Sequence, residues 1–120
     1  MARASYGQPT GTVRSQRSIE YDLFARITHR LSAATSRPAN EPGGLELALY
    51  DNTRMWRTLA ADVAESTNGL PAPLRAQLFY LYEFTVQHSR KVLEAGASID
   101  VLVDINTAVM RGLRGNGGPA

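Results

Sequence analysis

The chain has 120 residues, 43% hydrophobic and 20% charged, so it holds one ordinary globular domain and is neither low-complexity nor membrane-embedded. A domain of this size buries roughly two-thirds of the surface its unfolded chain exposes, which supports one core but no deep enclosed cavity and turns attention to grooves and surfaces. The net charge is only +2, and the absence of cysteine excludes disulfides, thiolate metal sites and a cysteine nucleophile.

Residues 1–14 are small, polar and rich in Gly and Pro, and are expected to form a mobile arm. No apolar run follows Arg3, so the start is not read as a secretory signal, and the cytoplasm is the expected compartment. Positive charge is concentrated at this end. Residues 1–40 carry six arginines against Glu20 and Asp22, a net +4, while the remainder carries seven bases against nine acids, a net −2. Scattered as they are, these arginines read as a solvated helix face rather than a nucleic-acid patch.

From residue 15 a helical pattern begins. Ile19, Leu23, Phe24, Ile27 and Leu31 fall on one face of a helix. Pro38, Pro42, Gly43 and Gly44 then break it. A second helix is expected over residues 45–64, its stripe Leu45, Ala48, Leu49, Met55, Trp56, Leu59 and Val63 interrupted by Asn52. Asn68 and Gly69, which tolerate positive φ, close it with a turn. Pro71 and Pro73 open a third helix that reaches Ala95 and stops at Gly96, prolines being tolerated where no intrahelical partner for the N–H exists. A fourth runs from Ile99 to Leu113, with Ser98 as its N-cap, and residues 114–120 are expected to be a flexible tail. The sum is an all-α, four-helix bundle over residues 15–113. No stretch of about eighteen consecutive apolar residues occurs, so no membrane insertion is expected.

No catalytic or cofactor-binding constellation emerges. His29 and His88 stand alone in sequence, the glycines at 43–44 and 115–118 lack the setting of a phosphate loop, and Asp100 with Asp104 reads as a solvated pair. An enzyme is not expected, nor a metal or cofactor. Nucleic acid is the weaker expectation, because the aromatics lie in the second and third helices and the bases at the front. Trp56, mid-stripe, reads as a core anchor. The run from Leu78 to Phe84 is apolar on nearly every side, more than one core contact requires, so Phe79, Tyr80 and Phe84 are expected to form a partner-binding face.

Several short motifs recur in order: Arg17-Ser18-Ile19-Glu20-Tyr21-Asp22-Leu23-Phe24, then Asn52 and Trp56 through Asp62, Asn68-Gly69-Leu70-Pro71, Leu74-Arg75-Ala76-Gln77-Leu78, His88-Ser89, and Asp104-Ile105-Asn106 through Leu113. Across residues 17–113 this set resembles the flagellar biosynthesis regulator FlaF family of alpha-proteobacteria. The resemblance implies a cytoplasmic, non-enzymatic factor of flagellum biogenesis acting through flagellin, as a chaperone for its secretion. The alternative it implies is a regulator of flagellin expression, working with a second flagellin-regulatory protein or on mRNA. The stretch from Phe79 to Phe84 is more aromatic than the family pattern.

Overall fold

Apolar residues recurring every three to four positions drive the backbone into helices that share one interior. The structure, a computed structural model, describes the backbone of residues 9–36 and 44–117 and the side chains of residues 20–34 and 44–112. Four helices make up the described residues: α1 (Pro9–Ser36), α2 (Gly44–Ala64), α3 (Ala72–Ala95) and α4 (Asp100–Gly117). No strand occurs among the described residues, and the all-α bundle is the fold.

The ends of the helices depart from the sequence reading. α1 starts at Pro9, so residues 9–14 of the expected arm are helical, and α4 runs to Gly117, four residues beyond 113. Apolar spacing locates the buried face of a helix, whereas its ends lie where backbone hydrogen bonding stops, and these need not coincide. Pro9 suits a helix start, since its missing N–H would have had no partner there. Residues 1–8 and 118–120, the rest of the arm and tail, lie outside the described residues, as do the side chains of Ile19 and Leu113.

The connections use different chemistry from that expected. The turn after α2 is held by the Asn68 side chain, not by an unusual backbone. Its Nδ2 donates to the Asp62 carbonyl at 3.2 Å and the Asp62 carboxylate at 3.1 Å, and its Oδ1 accepts from the Leu70 N–H at 3.0 Å. Among the described residues positive φ occurs only at Gly96, which ends α3 at φ 69° and donates its N–H to the Lys91 carbonyl. Only glycine takes that conformation freely. Ser98, expected as the N-cap of α4, stands one residue before that position, which Ile99 holds by accepting from the Val103 N–H at 3.1 Å; the Ser98 Oγ still accepts from the Asp100 N–H at 3.0 Å.

Neighbours in sequence run antiparallel. Arg30 meets Asp51 at 3.4 Å between α1 and α2, and Arg75 reaches the end of α2 from the start of α3. α1 lies between α2 and α4, α3 packs on α2, and α3 meets α4 only briefly. The interior has two apolar clusters. One gathers Leu31, Ala48, Leu49, Val92, Ile99 and Leu102. The other gathers Phe24, Ile27, Met55 and Trp56, under a partly buried shell that includes Leu59, Leu78, Leu81 and Val109. Between them every helix places a buried polar residue: Thr28, Asn52, Thr85 with Ser89, and Asn106.

Candidate functional site

That polar layer aligns the site. Trp56, fully buried, donates its indole N–H to Asn106 Oδ1 at 2.8 Å, and Asn106 Nδ2 donates to Asn52 Oδ1 at 2.8 Å. α2 and α4 are thus joined across the bundle axis by side chains alone. The Trp56 ring also meets Phe24 of α1 edge-on, with centroids 5.7 Å apart and planes at 88°. In sequence Asn52 looks like a flaw in an apolar stripe. It is half of a buried amide pair, which fixes the relative register of two helices more strictly than interchangeable apolar contacts do.

With the helices so held, one end of the bundle opens into a groove of about 1090 Å³ to which all four contribute. Phe24, Ile27 and Met55 form its floor, and Leu59, Leu78, Leu81 and Val109 its walls. Leu23 sits at the lip with 36% of its surface exposed. Around the rim stand Glu20, Arg30, Asp51, Arg54 and Asp62, a mixture of both signs. Small residues on the α4 side, Ala108 and Gly112, keep it open, and a Cβ placed on Gly112 would meet nothing within 4 Å. At about 10 Å diameter, an α-helix of two to three turns fills a comparable volume. The arrangement can bind an apolar helical face.

The aromatic residues expected to receive a partner lie elsewhere. Phe79 and Tyr80 are exposed, at 38% and 63%, but line no part of the groove. Phe79 packs edge-on against Tyr82, centroids 5.7 Å apart. Phe84 is half-buried and stacked on His88 at 5.4 Å and 14°. His88 Nε2 lies 2.7 Å from the Ser98 carbonyl, so ring and imidazole together brace the loop before α4. The structure therefore brings Leu78 and Leu81 into the groove and leaves Phe79 and Tyr80 on another face of the same helix. Leu23, Leu59 and Leu74, read from spacing as core, are groove residues too. Helical spacing cannot separate a core stripe from a groove stripe, because both face inward. Among the described residues no group of three or more His, Cys, Asp or Glu stands close enough to hold a metal ion.

A family model, "Flagellar protein FlaF", matches residues 2–113, nearly the entire chain. The chain belongs to the flagellar protein FlaF family. No curated protein and no solved structure matches it. For this FlaF-family chain a role in flagellum biogenesis follows, and its partners belong to the flagellar system. No helix among its described residues is long and apolar enough to cross a membrane.

Proposed function

We propose that this FlaF-family protein binds unassembled flagellin in the cytoplasm and keeps it fit for export, acting by binding and not by catalysis. The observation that carries the reading is the open apolar groove. Polymerising subunits such as flagellin expose amphipathic segments before assembly, and a helix laid apolar face down in a groove is a common way to mask one. Leu23, Leu59, Leu70, Leu74, Leu78, Leu81 and Val109 keep part of their apolar surface open along the groove, and contiguous apolar surface of this kind marks an interaction site. The mixed rim charges suit a partner helix that carries both signs along its flanks.

The test is binding of purified monomeric flagellin, by calorimetry, to the wild type and two variants. Leu23→Glu puts a charge at the lip of the groove, where a bound apolar face would have to desolvate it. It is expected to fold normally and to lose at least about tenfold in affinity, equal to about 1.4 kcal/mol. Tyr80→Glu is expected to bind as the wild type does. The reverse pattern moves the site to the aromatic face of Phe79, Tyr80 and Phe84. If the wild type has no affinity for flagellin, the chaperone reading fails, and regulation of flagellin expression through a second protein or mRNA becomes the reading to pursue.

A further inference from the structure

The four helices share one polar layer but are not equally fastened by it. Asn52, Asn106 and Trp56 bond to one another, and α1 is packed between α2 and α4. The α3 side differs. Three residues of α3 are buried, Thr85, Ser89 and Val92, and two of these are polar. Neither the Thr85 nor the Ser89 hydroxyl has a hydrogen-bond partner, and nor do Arg75 Nε, the Thr28 hydroxyl of α1 and the Asn52 Nδ2 of α2, so α3 carries three such groups where α1 and α2 carry one each. A buried polar group that gains no partner keeps its desolvation cost, so these groups weaken the packing they sit in. α3 touches α4 only briefly, and its polar ties are local: Arg75 donates to the Glu65 carbonyl at 2.9 Å, and His88 meets the Ser98 carbonyl.

We infer that the α3–α4 seam is a built-in opening, with α3 as the moving wall of the groove. α3 rocks along its contact with α2, away from α4, while α1, α2 and α4 stay joined through Trp56, Asn106 and Asn52. Pivots are available at both ends, in the turn after Ala64 and at Gly96, whose left-handed backbone has open space around it. Because α3 contributes Leu74, Leu78 and Leu81 to the groove, rocking changes its width and lets it admit helices of different bulk. That last consequence rests on the flagellin reading above; the mobility of the seam does not.

A cysteine-free chain makes the experiment direct, since introduced cysteines carry spin labels at chosen sites only. One double variant places labels across the seam, at exposed Gln87 of α3 and exposed Asp104 of α4, as Gln87→Cys with Asp104→Cys. A control pair joins α1 to α4, as Arg26→Cys with Asp104→Cys, both exposed. Pulsed dipolar spectroscopy is expected to give a broader distance distribution across the seam than in the control, and one that shifts when flagellin is added. Adding Thr85→Val and Ser89→Ala to the seam pair removes the unpaired hydroxyls, and is expected to narrow the distribution and raise the melting temperature. A seam distribution as narrow as the control overturns the inference, whatever flagellin does. So does a lower melting temperature in the hydroxyl-free variant, which would show that these groups are bonded and hold α3 in place. A broad seam with no flagellin binding keeps this inference and removes the proposed function instead.

Discussion

The two ends of the bundle are built from the same residue types and finished differently. At one end Leu31, Leu49 and Leu102 are 0–2% exposed and the helices close over them. At the other, Trp56 and Phe24 are just as deeply buried, yet Leu59, Leu78, Leu81 and Val109 above them stay partly open along a groove. Stability comes from sealing apolar surface away from water, at roughly 25 cal/mol for each Å². Apolar surface left unsealed contributes little to folding but remains available to a partner. The contrast teaches that the same leucine-rich spacing closes over its core at one end and leaves its apolar side chains partly open at the other, where the proposed function places a partner.

The sharpest way to break that contrast is at its shared support. Trp56→Ala removes the largest buried side chain and leaves Asn106 without its indole donor. It is expected to cost about 3–5 kcal/mol in urea unfolding, enough to unfold much of so small a domain. An unchanged transition would mean that the open end has no anchor. The closed end is measured against the open one by a pair of identical truncations. Leu102→Ala is expected to cost about 2–5 kcal/mol, and Leu78→Ala clearly less, because water already reaches Leu78. Equal costs in thermal or urea unfolding would erase the difference between the ends. The smallest effect concerns the edge of the groove. Gly112→Ala, in a helix and facing open space, is expected to stabilise the fold by about 0.5–1 kcal/mol, and a loss would show that the space there must stay free or that α4 bends at this glycine.

Much of this plan is legible in the sequence, for identifiable reasons. The helices follow from spacing, and the end of α3 from Gly96, because a left-handed residue cannot continue a right-handed hydrogen-bonded helix; the expected breakers Pro38 and Pro42 lie outside the described residues. Trp56 as a buried residue follows from its place within a stripe. The groove does not follow. Leu23, Leu59 and Leu78 carry the same periodicity as Leu31, Leu49 and Leu102, and only the packing of four helices decides which are covered. Asn52 carries the one local signal of the polar layer, an amide where spacing asks for an apolar residue. Its partner Asn106 is invisible until the fold brings positions 52 and 106 together across the axis. The aromatic run ending at Phe84 shows the limit from the other side, for its exposed members Phe79 and Tyr80 lie outside the groove. Surplus apolar character marks that α3 has more than one inward or outward face, not which of them a partner would use.

The indole of Trp56 has a consequence for how this protein can be watched. It is the chain's single tryptophan, wholly shielded, with its N–H held by an amide oxygen of another helix. Its emission therefore reports on one place, the junction between the polar layer and the groove floor. A blue-shifted, poorly quenched signal corresponds to intact helices around that junction, and any event that admits solvent there reddens it. The molecule carries its own optical gauge, so the proposed binding of flagellin can be tested in real time without a dye attached to either protein.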